Sequence, residues 1–323
     1  MPRKTRIEYP GAVYHVLNRG NNRTELFSVE KAGESFEETL FQACSRFGWR
    51  LFAYVLMSNH YHLVLETQDA NLVAGMQWLQ STFANRFNRI VRDHGHVFQG
   101  RYKALLIEDG GSLLRVVNYI HLNPVRAGLL TVENLKHHPL SSFPKFFTKR
   151  RPECLHMGDW LALAGNLKST GFGMRSYHKY LALTAEIDAQ KRSDLHRELC
   201  RGWYIGTREG RKALLKDIDN GTLETRTDLT GFGEDLAEML LEQGLAALGK
   251  TSVDLAVARK LDSWKVVLAT WIKEHAGVNN RWFSERLHMG TIYNISKGIH
   301  QEIKEGNRRK GDWRKLKRAK SKA

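Results

Sequence analysis

Cysteine is scarce in this chain of 323 residues. Cys44, Cys154 and Cys200 lie far apart, their odd number leaves no complete disulfide framework, and no C-x-x-C pair suggests structural zinc. A reducing cytoplasm is the expected setting. Long apolar runs are also missing, so no segment is expected to span a membrane. The start, Met1-Pro2-Arg3-Lys4-Thr5-Arg6, is basic, but no long apolar core follows it, and no secretory signal is expected. Acidic residues are in deficit: 34 Asp and Glu face 50 Lys and Arg, for a net charge of +16. Such a surplus points to a polyanionic partner, most simply nucleic acid. An anionic membrane is the weaker alternative, because no basic amphipathic helix with a broad apolar face stands out. What the chain does have is a hydrophobic fraction of 42%, which excludes wholesale disorder and allows two or more domains with cores.

The periodicity organises the first part of the chain. Tyr14 to Arg19 alternates as a short strand and ends in the turn residues Gly20-Asn21-Asn22. Between about Ser28 and Phe47, the residues Phe36, Leu40, Ala43, Cys44 and Phe47 recur at helical spacing, and Gly48 closes that helix. Arg50 to Met57 and His60 to Glu66 read as strands joined by the tight turn Ser58-Asn59. Ala70 to Val91 is a second helix, Asp93 to His96 a loop, and Tyr102 to Glu108 a fourth strand. Ser112 is expected to cap a third helix whose Leu113, Val117 and Ile120 face the core, and Pro124 to end or kink it. Strand, helix, strand, strand, helix, strand, helix is the order of an α+β, ferredoxin-like antiparallel sheet with one extra helix. Such a sheet can leave one face open, and period-two alternation puts His60 and His62 on that face.

Two histidines side by side on a strand suit a divalent metal ion. By themselves they leave metal binding and a pair of surface imidazoles both open, and ligand type does not exclude zinc. On the third helix Arg115, Tyr119 and Asn123 share a face, with Arg126 a turn further on, so a phenol is expected to point outward beside positive charge. The bland alternative is a half-buried aromatic with its hydroxyl at the surface. Glu108, ending the fourth strand, could reach the site. His94 and His96 repeat the H-x-H spacing in a loop, as a weaker second candidate.

Four blocks in order carry a resemblance: Tyr14 to Gly20, Met57 to Leu63, Gly100 to Lys103, and Tyr119 to Leu129. Over about residues 1–145 the chain resembles the single-tyrosine HUH transposases of the IS200-like superfamily, and among them the REP-associated tyrosine transposases. The resemblance implies a catalytic domain over 1–130, in which His60 and His62 bind Mg²⁺ or Mn²⁺, Asn123 completes the metal site and Tyr119 is the nucleophile. The middle residue of the His pair is Tyr61 rather than an aliphatic one. Asn123 would contribute an amide, a weaker ligand than the two imidazoles. The implied activity is metal-dependent cleavage and strand transfer of single-stranded or hairpin DNA, REP-like palindromes, through a 5′-phosphotyrosyl intermediate. Arg19, Arg101 and Lys103, within the matching blocks, together with Arg115 and Arg126, are candidate DNA contacts. The expected protein is cytoplasmic and nucleoid-associated, a monomer or homodimer.

Residues 131–152, with three prolines and Lys149-Arg150-Arg151, read as a connecting segment. Residues 153–250 read as helical and carry no chemical motif. Over 263–304 the pattern is helix, turn, helix with a central glycine, the outline of a helix-turn-helix DNA reader. An ordinary helical hairpin is the alternative. The basic tail 305–323 is expected to be a flexible arm following phosphates. A non-catalytic DNA-binding regulator built on these C-terminal elements is the competing function. An RNA-binding sheet is a third, disfavoured because the inferred open face carries histidines rather than stacking aromatics.

Overall fold

The computed structural model describes residues 7–108, 110–190, 195, 198–219, 232–305 and 310–321. The basic start 1–6, parts of the expected helical region (191–194, 196–197, 220–231) and residues 306–309 and 322–323 of the expected tail lie outside the described residues. Two compact units divide at Gly210 and Arg211.

The first unit is built on a sheet in the order β2-β3-β1-β4-β5. Its strands are β1 (Ala12–Arg19), β2 (Trp49–Leu56), β3 (His60–Thr67), β4 (Lys103–Ile107) and β5 (Tyr204–Ile205). The first four pair antiparallel, and β5 adds parallel to β4. Helices α1 (Ala32–Phe47) and α2 (Leu72–Val91) cross one face. The apolar spacing that predicts α1 is what it buries: Phe36, Leu40, Ala43 and Cys44 are all closed to solvent. Gly48 adopts φ 66° and its N–H returns to the Cys44 carbonyl, ending the helix as its lack of a Cβ allows. Tyr61 of β3 points into this layer, with ring centroids 4.8 Å from Phe36, which lies 5.0 Å from Phe83 of α2.

The opposite face is covered, contrary to the expectation of an open one. Helix α3 (Gly110–His121) lies on β2 and β3 and is buried on nearly every side, from Leu113 through His121 except for Arg115. The cover over α3 comes from α5 (Ser142–Lys145), α6 (Gly158–Leu163) and α7 (Gly171–Gln190). His121 joins them. One ring nitrogen meets the Tyr177 hydroxyl and the other Ser142 Oγ, each at 3.0 Å. Tyr177 in turn donates to Asn118 Oδ1 at 2.8 Å. Burial pushes the His121 pKa down to about 3, so the ring is held neutral as a structural group.

Residues 131–152, read as a connector, pack on the outer edge of β2. The Leu56 N–H donates to the Leu140 carbonyl and the Tyr54 N–H to Ser142 Oγ. Pro139 lies in a turn and Pro144 inside α5, among pieces that satisfy an otherwise bare strand edge. Ser112 is not a cap. Helix α3 begins at Gly110, so Ser112 falls inside its first turn and is buried.

In the second unit, helices Ser263–His275, Asn280–Arg286 and Ile292–Glu305 pack together around Trp271, Phe283, Leu287 and Ile295. Asn279 Oδ1 accepts the Trp282 N–H, and Thr291 Oγ1 the Asn294 N–H, which sets the starts of the second and third helices. Lys310–Ser321, within the expected flexible arm, is a helix. Its Trp313 and Leu316, three residues apart, are buried against helix Phe232–Leu248. That apolar pair gives the basic segment a face to fold on.

Candidate active site

Register decides which side chains meet. On β1, His15, Leu17 and Arg19 share a face, and their cross-strand partners on β3 are Val64, His62 and His60. Lys103 of β4 lies across from Leu17, and Leu105 across from His15. Arg19, Lys103, His60 and His62 thus occupy one face of the sheet, and His15 is the diagonal neighbour of His62.

The histidine protons follow from their partners. A carbonyl oxygen only accepts, so His15 Nδ1–H donates to the Leu199 carbonyl at 2.7 Å. In a neutral His15 ring, Nε2 is then the acceptor for His62 Nδ1–H at 2.9 Å. His60 Nδ1–H donates in the same way to Asn59 Oδ1 at 2.8 Å. Both histidines of the pair therefore carry their lone pair on Nε2, with Nδ1 anchored, which is the arrangement found around metal-ligating histidines. The two rings stand edge to face at 5.2 Å between centroids.

Tyr119 of α3 reaches this place. Its ring lies 5.6 Å from that of His62 and 6.2 Å from that of His15. It is 6% exposed and does not point outward as the helical face suggested, because the segment at Leu199–Cys200 lies over it. The Cys200 thiol donates to the Tyr119 hydroxyl at 3.3 Å. Burial, with the neighbouring Cys200, pushes the Tyr119 pKa above the ordinary phenol range. The Arg126 charge and an Asn123 hydrogen bond pull it back in part. Burial likewise pushes the Cys200 thiol up to about 11.

The predicted basic residues divide. The Arg126 guanidinium stacks 4.7 Å above the Tyr119 ring and donates to the Tyr119 carbonyl at 2.6 Å. Arg115 pairs instead with Glu198 at 2.5 Å on the surface. Arg19, Arg101 and Lys103 are exposed. Asn123 is buried at the start of α4 (Asn123–Arg126), where Pro124 is accommodated because the first turn of a helix needs no N–H from it. Glu108 does not reach the site. Its carboxylate takes the N–H and hydroxyl of Thr207 beyond β5. His94 and His96 belong to no metal-type cluster among the described residues.

His15, His62 and Cys200 do form such a cluster, with one donor atom of each lying within 4.8 Å of the others. His15 stands within a recognised block, but its meeting with His62 depends on strand register. Cys200 carries no sequence signal at all, being 81 residues from Tyr119.

A family model described as "Transposase IS200 like" matches residues 9–123. A putative REP-associated tyrosine transposase of Haemophilus influenzae is 26% identical over 145 residues, covering 41% of this chain and 80% of that protein. A solved structure of a REP-associated tyrosine transposase bound to a REP hairpin aligns with a TM-score of 0.38 and 17% identity, covering 50% of this chain and 92% of that one.

Proposed function

We propose that this protein, whose residues 9–123 match the IS200-like transposase model, is a metal-dependent endonuclease and strand transferase of single-stranded, hairpin-forming DNA, with Tyr119 as nucleophile. The observation that carries this reading is the meeting of Tyr119 with His62 beneath the Arg126 guanidinium. A structural tyrosine needs no such pair.

The anchored Nδ1 atoms of His60 and His62 and the adjacent Asn123 carboxamide fit a divalent cation of the Mg²⁺ or Mn²⁺ class. Bound there, it supplies Lewis-acid polarisation of the scissile phosphate. The chain does the rest. Arg19, Lys103 and Arg101 hold the DNA backbone along the ferredoxin-like sheet. The Leu199–Cys200 segment withdraws, exposing the phenol. Arg126 and Asn123 favour the phenolate over the phenol. The phenol gives its proton to solvent and the Tyr119 oxygen attacks phosphorus in line, forming a 5′-phosphotyrosyl bond as the P–O3′ bond breaks and the leaving 3′-oxygen takes up a proton from solvent. The new ester keeps the energy of the phosphodiester, so a second 3′-OH can reverse the step and join strands. In this reading, helices 263–304 act as a helix-turn-helix that engages duplex DNA.

The test is covalent capture. With hairpin-containing single-stranded DNA and Mg²⁺ or Mn²⁺, the wild-type chain forms a denaturation-resistant adduct mapped to Tyr119. Tyr119→Phe forms none while still binding the hairpin, and chelation or His60→Ala, His62→Ala abolishes it. An adduct with the Phe variant removes Tyr119 from the role, and cleavage undiminished by chelation removes the metal. The buried phenol favours one second reading, a DNA-binding regulator without catalysis, for which the wild type yields no adduct at all.

A further inference from the structure

The Leu199–Cys200 segment brings a soft donor to a place where nothing in the proposed cleavage calls for one. His15, His62 and Cys200 are each 2% exposed or less. Their ring nitrogens His15 Nε2 and His62 Nδ1 face each other at 2.9 Å, and one donor atom of each of the three residues lies within 4.8 Å of the others. In a tetrahedral zinc site with bonds of about 2.0–2.3 Å, donor atoms stand roughly 3.3–3.7 Å apart. The two imidazole nitrogens are therefore about half an ångström closer than ligating distance, and the three donor atoms, all within 4.8 Å, reach it with shifts of about an ångström. A second feature points the same way. His15 Nδ1 is fixed by the Leu199 carbonyl, one residue before Cys200, so the segment that supplies the thiol also orients the opposing imidazole.

We propose that His15 Nε2, His62 Nδ1 and Cys200 Sγ form a second metal site, selective for a thiophilic divalent cation of the zinc class. A thiolate with two imidazoles discriminates against Mg²⁺ and Mn²⁺. The Tyr119 oxygen, 3.3 Å from Cys200 Sγ, is placed for the fourth position. Binding balances simply: Cys200 releases its thiol proton to solvent, and His62 moves its proton from Nδ1 to Nε2. The nitrogen that the cleavage site needs is then protonated. Zinc here and magnesium at His60 and His62 thus exclude each other, and zinc staples the segment over Tyr119. That last consequence rests on the proposed nuclease. The binding itself does not.

The experiment uses the full-length, reduced, chelator-stripped protein titrated with Co²⁺ as an optical probe, then competed with Zn²⁺. The wild type takes up one equivalent with a thiolate-to-cobalt charge-transfer band. Cys200→Ser and His15→Gln lose the band, and Cys200→Ser weakens Zn²⁺ binding by more than about tenfold, the least that loss of even an outer partner costs. His60→Ala keeps the band. Because a variant can fail to fold, alkylation is followed in parallel on the wild type: Zn²⁺ slows modification of Cys200 and leaves Cys154 unprotected. A band that survives Cys200→Ser, disappears in His60→Ala or is absent from the wild type overturns the proposal, as does alkylation of Cys200 indifferent to Zn²⁺. Since none of these readouts needs DNA, their failure is distinguishable from failure of the nuclease reading.

Discussion

The Tyr119 phenol sits between opposing influences. Burial and the Cys200 thiol disfavour its ionisation, while the Arg126 charge and the Asn123 hydrogen bond favour it. The net shift is upward, so at neutral pH the phenol holds its proton and the phenolate fraction grows with every step toward alkaline pH. Single-turnover adduct formation is therefore expected to rise about tenfold per pH unit through neutral and mildly alkaline pH. Arg126→Ala should slow it about tenfold without changing that slope, since a partly desolvated cation–π contact is worth about 1–2 kcal/mol. Arg126→Lys should recover part of the loss. A rate that ignores pH, or an Arg126→Ala enzyme as fast as wild type, would show that phenol ionisation is not what limits attack. At this scale the motif made His60, His62, Tyr119 and Asn123 legible, because each sits in a short block of fixed spacing. Arg126 was legible as a charge beyond Tyr119 on the same basic face, and the structure stacks it on the Tyr119 ring. The burial of the phenol was hidden altogether, because the residue that covers it comes from a distant segment without a pattern.

Element by element, the strands and the first two helices followed their apolar periods closely, with ends moved by a few residues at most. What the periodicity did not reveal was the second layer over α3. A helix apolar on one side and mixed on the other reads as half exposed, yet Asn118 and His121 on the mixed side are satisfied by Tyr177 and Ser142 and so can be buried. This has a pH signature. An unfolded histidine titrates near 6.5, whereas His121 in the fold titrates near 3. Between those values the unfolded state binds the extra proton, so His121 lowers stability as pH falls below about 6.5. From pH 7 to pH 5 its share is about 2 kcal/mol. Denaturant midpoints at the two pH values measure this as a difference from His121→Gln, which should lack that share of the acid loss. Equal acid sensitivity of the two proteins would mean that His121 is protonated in the fold.

At the scale of the whole molecule the charge surplus of +16 has to act somewhere, and the structure offers two settings. One is the sheet face carrying Arg19 and Lys103, near the candidate active site. The other is the C-terminal helix Lys310–Ser321, where Trp313 and Leu316 anchor one side and Arg314, Lys317 and Arg318 are exposed. Composition alone foretold the electrostatics but not the order. Two apolar residues in a basic run are too few to outweigh the appearance of a tail, and only their helical spacing against a packed partner converts the run into a rigid basic face. In the proposed function such a face would bind phosphates through a fixed set of contacts, each of which would show in the salt dependence. Replacing Arg314, Lys317 and Arg318 together by Gln should reduce the slope of log affinity against log salt for hairpin DNA by up to about 2.7, at about 0.9 per duplex phosphate contact. Leu316→Ala should instead cost about 2–5 kcal/mol of stability, because it removes the anchor and leaves the charges in place. An unchanged slope in the triple variant would assign the phosphate contacts to the sheet face, and Arg19→Gln with Lys103→Gln would then carry the loss.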